Sequence, residues 1–168
     1  SRDHWKDKFE NIADNIVNRI KELKYGDLLT LYARELSAEC LKLVTGLTNM
    51  TSSEMDRVSQ GMIDGCANYI GDEEIEEYCN NCTESIDAHI NEMIGKIQTK
   101  SDFSLLSTML EGNLSPSQIS ANIKLAISGG QNEPRDAIAG CIWAALNFGL
   151  KEHLLEKNNW DQLFNEYC

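Results

Sequence analysis

Ile-Lys-Leu-Ala-Ile-Ser-Gly-Gly-Gln-Asn-Glu-Pro-Arg-Asp-Ala-Ile-Ala-Gly, residues 123–140, is the stretch on which the reading of the fold turns. Ile119, Ile123 and Ile127 before the break, and Ile138, Ile142 and Leu146 after it, recur at helical spacing. Between them stand Gly129, Gly130 and Pro134. Inside a helix each glycine costs about 1 kcal/mol and a proline about 3 kcal/mol. Two readings of this segment stay open. It is one kinked helix over about 116–147 whose backbone something bulky approaches, or a helix–loop–helix with Gly129-Gly130 as C-cap and Pro134 opening the next helix. Asn132, Glu133, Arg135 and Asp136 put a dense polar cluster between two Ile-rich segments. Buried polar groups need partners, so these are candidate proton-handling groups.

Outward from this stretch the apolar residues keep the same period. Trp5, Phe9, Ile12, Ile16, Ile20 and Leu23 predict a first helix that stops at Gly26. Asp27 caps a second, carrying Leu28, Leu31, Leu36, Cys40, Leu43 and Leu47. Thr51-x-x-Glu54 reads as a capping box for a third helix running toward Tyr69. After Gly71-Asp72 a long helix turns Ile75, Cys79, Cys82, Ile86, Ile90, Met93 and Ile97 inward. Its first turns carry Asp72, Glu73, Glu74, Glu76 and Glu77, anions that suit the N-terminal end of the helix dipole. A short helix spans Phe103 to Leu110, and Ser115-Pro116 supplies an N-cap and first helical residue. Leu150 to Glu156 and Trp160 to Cys168 read as two short terminal helices. The fold class is all-α, with no internal repeat and no alternating strand pattern.

Composition agrees. The 168 residues include only two prolines, and 42% of the chain is apolar, enough for a core. Fifteen basic against 27 acidic residues leave a net charge of −12, which argues against nucleic acid or an anionic membrane as partner. The longest nearly apolar run, Ala137 to Leu146, is half of the roughly 20 residues a membrane span needs. The chain opens on Ser1 with a charged stretch, as a cleaved or engineered piece does, and shows no signal-peptide pattern.

The six cysteines are an even count, which a disulfide framework would also give, but most fall on apolar stripes and read as reduced and buried. Cys79-x-x-Cys82 lacks both the strand–helix context of a redox motif and the second ligand pair of a zinc site, so no metal site is expected. His4, His89 and His153 share no ligand spacing, and Trp5, Trp143 and Trp160 are expected to pack in the core. Asn49-Met50-Thr51, Asn81-Cys82-Thr83 and Asn113-Leu114-Ser115 match the glycosylation pattern by chance.

The run from Ile123 to Gly140 resembles the long central helix of bacterial cytochrome P-450 monooxygenases. That family usually writes Ala/Gly-Gly-x-Asp/Glu-Thr-Thr at the kink above its haem iron. Here Asn132 falls on the acid position and Glu133 on the alcohol position, a departure similar to a subgroup with Gly-Gly-x-Asn-Glu-Pro-Arg. Leu36 to Leu47 is similar to the helix before the family's substrate-covering pair. Asp102 to Ser107 resembles the segment before the central helix, and Trp160 to Cys168 the approach to the Glu-x-x-Arg helix.

The resemblance implies the helical core of a P-450 fold, without its N-terminal sheet and its haem-thiolate loop. None of the six cysteines has the neighbours of Phe-x-x-Gly-x-Arg-x-Cys-x-Gly, so haem belongs to the parent and none is expected in this chain. It further implies that the parent inserts one oxygen atom from dioxygen into a substrate C–H bond, drawing electrons from a ferredoxin and its reductase in the bacterial cytoplasm. Glu133 and Asn132 take the proton-handling roles; Gly129, Gly130 and Gln131 form the oxygen- and haem-facing surface. Met62 to Tyr69 and Ile75 to Ile90 roof the pocket. The subgroup's substrate is a small molecule, a methylated sugar (6-O-methyl-D-galactose from algal polysaccharide), demethylated with release of formaldehyde. A core cut this way is expected to be inactive and to form homodimers or exchange helices. The alternative is a non-enzymatic acidic helical bundle acting through protein contacts.

Overall fold

The amphipathic periods become helices throughout the computed structural model, which describes residues 2–97 and 102–148. Among these residues all regular structure is helical, in seven α-helices and one π-helical turn. The protein is all-α. None of the described helices is long and apolar enough to cross a membrane.

Helix α1 (Arg2–Ile20) ends a turn earlier than its pattern predicts, leaving Leu23 exposed. Asp27 does act as a cap: it accepts from the Leu29 amide at 3.0 Å and the Thr30 hydroxyl at 2.6 Å. The winding it opens is a π-helical turn, Leu29–Ala33, that passes into α2 (Arg34–Thr45), so one expected helix has two pitches. Gly46 closes α2 at φ 89°, a left-handed geometry that favours glycine, and returns its N–H to the Lys42 carbonyl. Thr51 caps α3 (Ser52–Cys66) by accepting from the Glu54 amide at 3.1 Å. Asp72 accepts from the Glu74 amide as α4 (Glu73–Ile97) begins. Ser104 caps α5 (Leu105–Glu111), and Ser115 with Gln118 completes a reciprocal capping box on α6 (Pro116–Gly130). Helix α7 (Asn132–Asn147) follows at once. The two short terminal helices expected beyond Leu150 lie outside the described residues.

Helix α6 runs through the middle, against α2, α3, α4 and α5. Its Ile119, Ile123 and Ile127, all but inaccessible, meet Leu41, Met55, Val58, Ile86 and Leu106. Each such isoleucine contributes about 1.5–3 kcal/mol by burial. The core thins beyond the break: α7 buries Ala144 and Ala145, while Trp143 is 60% exposed. The expectation that Trp143 packs in the core is therefore corrected; it stands at the edge, edge-on to Phe148.

The cysteines divide in the same way. Cys82 is buried, Cys40 and Cys79 are half-buried, and Cys66 is exposed, so the reading of mostly buried cysteines holds in part only. Burial pushes the Cys40 thiol up to about 12, so it packs as a small apolar group.

Candidate functional site at the helix break

The interruption between α6 and α7 is one residue long. Gln131 sits at φ −95°, ψ −50°, still in the right-handed helical region, and Gly129 and Gly130 lie inside α6. Neither glycine takes positive φ, so they do not form the left-handed C-cap of a helix–loop–helix. Pro134 has no N–H to return to the Gly130 carbonyl, and this is the local cause of the break.

Hydroxyls from neighbouring helices stitch the break in place. Ser59 of α3 donates to the Ile127 carbonyl at 3.2 Å, and Ser37 of α2 donates to the Gln131 carbonyl at 2.6 Å. Gln131 is fully buried. Its Nε2 donates to the Arg34 carbonyl at 3.3 Å and to Asp56 Oδ1 at 3.2 Å. The other carboxylate oxygen of Asp56 faces Arg34 Nη1 at 3.6 Å. Gln131 Oε1 and Asn132 Oδ1 are both buried with no hydrogen-bond donor within reach. A buried acceptor without a partner among the described residues is a seat for a small donor.

The five residues singled out from sequence do not share one surface. Gly130 and Gln131 turn inward: a Cβ at Gly130 would lie 2.7 Å from Leu41 Cδ1. Gly129 and Glu133 turn outward; a Cβ at Gly129 would meet only the Glu133 carboxylate, at 3.6 Å. Asn132 is half-buried between the two sets. Successive helical residues point about 100° apart, so the proton-handling pair Asn132 and Glu133 necessarily diverges. Eleven residues, about three turns, separate Gly129 from Gly140, whose Cβ would meet nothing within 4 Å among the described residues. Leu125, Gly129, Glu133, Asp136, Gly140 and Trp143 thus form one stripe along α6 and α7, and Leu125 and Trp143 on it are 72% and 60% exposed. Arg135 is held by Asp136, its Nε 2.8 Å from Oδ1, and that hydrogen bond raises the guanidinium further above its ordinary range.

Beside the break a cavity of about 560 Å³ opens between α1, α2 and α7. Phe9, Leu36, Cys40, Val44, Pro134 and Ile138 give it an almost wholly apolar wall. The polar partners Ser37, Ser59, Asp56 and Arg34 are what sequence reasoning missed, and Gln131, expected on the open surface, is buried among them. Their one signal is a pair of serines, Ser37 and Ser59, interrupting apolar stripes.

Whether these residues fit a haem is decided by the open stripe. Two bare glycines flanking a carboxylate leave room for a flat group to meet backbone, which suits one side of such a cofactor. A haem–thiolate site would also need a cysteine in the family's loop motif, which does not occur in this sequence. Among the described residues no group of three or more His, Cys, Asp or Glu side chains could hold a metal ion. No model of a known protein family matches the chain.

Proposed function

We propose that this chain is the helical part of a haem–thiolate monooxygenase of the cytochrome P-450 type. The single observation that carries the reading is the contrast between the twin glycines. Packing against Leu41 accounts for Gly130, whereas nothing within the described chain requires Gly129 or Gly140 to be glycine. Unforced glycines on an exposed helix stripe lower helix stability, and a ligand that must approach the backbone explains them.

When bound, haem with its thiolate supplies the activation of dioxygen; in the parent a ferredoxin and its reductase supply the electrons. The residues of this chain have separate tasks. Gly129 keeps the backbone bare and Glu133 holds and delivers a proton at its carboxylate, while Asn132, turned away from Glu133, offers its buried Oδ1 to a separate donor. Gln131, anchored to Asp56 and Arg34, fixes the break from inside. The substrate class is a small molecule bearing an O-methyl group, a methylated sugar. Hydroxylation of that methyl carbon leaves a hemiacetal, which separates into formaldehyde and the free sugar hydroxyl.

The test is expression of the complete gene that encodes this chain. A red-shifted ferrous–carbonyl Soret band and a roughly 100-fold or greater loss of turnover in Glu133→Gln support the reading. A native stop codon directly after Cys168, or a full-length product that binds no haem, overturns it. Those results would favour the non-enzymatic helical bundle, for which the exposed Trp143–Phe148 pair offers a contact surface.

A further inference from the structure

Among the described residues helices α3 and α4 form the most extensive helix pair, and two small residues allow it. Gly61 and Gly65 lie one turn apart on α3. A Cβ at Gly61 would collide with Cys82 Sγ, and one at Gly65 with Cys79 Sγ, the latter only 2.6 Å from Cys79 Cβ. The Cys79 side chain therefore occupies the space that any side chain at Gly65 would need, and the two helices meet closely there. Cys66 is the very next residue, one Cα–Cα step of about 3.8 Å from that contact. A disulfide needs Cα atoms about 4.4–6.8 Å apart, and Cys79 lies close enough to Cys66 to feel its charge.

The surroundings of the two thiols differ from those of the third cysteine. Cys66 is exposed and Cys79 half-buried, so a small oxidant reaches them; Cys82 is enclosed and accepts from Arg57 Nη1 at 3.2 Å. Burial, with smaller help from the charges of Cys66 and Glu76, keeps the Cys79 thiol above the ordinary range. The connection from α3 to α4 is a tight hairpin. Asn68 and Asp72 exchange two hydrogen bonds of 2.8 Å, Gly71 turns at φ 72°, and Tyr69 and Ile70 stand exposed at its tip.

From this juxtaposition we propose that Cys66 and Cys79 are a redox-active pair, which a peroxide converts into a disulfide clamping the base of the α3–α4 hairpin. The inference is independent of the monooxygenase reading. In the first step the Cys66 thiolate attacks one oxygen of hydrogen peroxide; the O–O bond breaks, hydroxide leaves and takes up the proton the thiol had lost, forming water, and a sulfenic acid remains. In the second, the Cys79 sulfur attacks the Cys66 sulfur, the S–O bond breaks, and the departing hydroxide takes the Cys79 proton as water. Two thiols and one peroxide give one disulfide and two waters; the sulfurs lose two electrons and the peroxide oxygens gain them. A thiol reductant reverses the link.

The experiment is brief exposure of the full chain to stoichiometric hydrogen peroxide, followed by alkylation and non-reducing digestion at the acidic run 72–77. The expected product is a peptide bearing Cys66 joined to one bearing Cys79, lighter by two hydrogens and released by dithiothreitol. The oxidised chain is expected to melt higher than the reduced one. Cys66→Ser, at an exposed position that tolerates serine, abolishes both effects, and Cys82→Ser leaves both. Recovery of Cys66 alkylated, a Cys79–Cys82 link, or an intermolecular Cys66 dimer overturns the proposal.

Discussion

Gly129 and Gly130 are adjacent in sequence and opposite in environment, and a single methyl group distinguishes them. Alanine at either site removes the helix penalty of glycine, worth about 1 kcal/mol. At position 129 the new Cβ meets nothing closer than the Glu133 carboxylate at 3.6 Å, so the gain is realised almost in full. At position 130 it lands 2.7 Å from Leu41 Cδ1, a buried side chain that must be displaced. Overpacking of this kind costs about 1–3 kcal/mol, and the cavity beside Leu41 keeps the cost toward the lower end. Gly129→Ala is therefore expected to stabilise the protein by about 0.5–1 kcal/mol. Gly130→Ala is expected to fall below it by about 1 kcal/mol or more. Urea denaturation of the two variants beside the parent decides the matter. Equal stabilities would remove the division of the break into an inner and an outer face.

Between elements, α3 and α4 are held by a charged clasp as well as by their glycines. Glu54 accepts from Arg57 Nε at 2.7 Å and Nη2 at 2.6 Å within α3, and from Ser85 Oγ of α4 at 2.6 Å. Arg57 in turn spans Cys82 Sγ and the Tyr78 ring. The Arg57 hydrogen bond, helped by Ser85, holds the Glu54 carboxyl at about 2 against an ordinary 4.5. A carboxylate whose pKa is lower folded than unfolded adds stability above its unfolded value. That stability drains away as pH falls from about 4.5 toward 2. Because both side chains are partly solvated, the contribution at neutral pH is about 1 kcal/mol or less. Glu54→Gln should flatten the fall in urea stability across that acidic window, and an unchanged slope would exclude the clasp as its cause. The same residue marks where the sequence stops being readable. Thr51-x-x-Glu54 is legible as a capping box, and Thr51 does cap α3, but the Glu54 side chain leaves for Ser85, 31 residues away. Local spacing shows helix periods and caps because each depends on residues within one turn. Which of two neighbouring glycines faces inward, or that Gln131 lies wholly buried among Ser37, Arg34 and Asp56, is set by helices distant in sequence.

For the whole molecule the dominant electrostatic fact is its surplus of acid. Twenty-seven carboxylates face 15 cations, and Asp72, Glu73, Glu74, Glu76 and Glu77 crowd the start of α4. Ion pairs oppose this repulsion: Arg57–Glu54, Lys124–Asp87, Arg19–Glu35 and Lys96–Glu92 are all formed. Each has at least one partly exposed member, and pairs of that kind are worth about 0–1 kcal/mol. Salt weakens both effects but unequally. The paired charges sit within about 4 Å, well inside any Debye length, whereas like charges spread over the surface repel over distances that screening removes. Moving from about 10 mM to about 150 mM salt shortens the Debye length from about 30 Å to about 8 Å, and so relieves the long-range repulsion first. The melting temperature is therefore expected to rise with sodium chloride over this range. Calorimetry at fixed pH 7 measures it, and the slope should shrink as pH is lowered toward 5 and the carboxylates begin to protonate. A melting temperature that falls with salt at neutral pH would mean that the ion pairs, and not the net charge of −12, govern the stability of this chain.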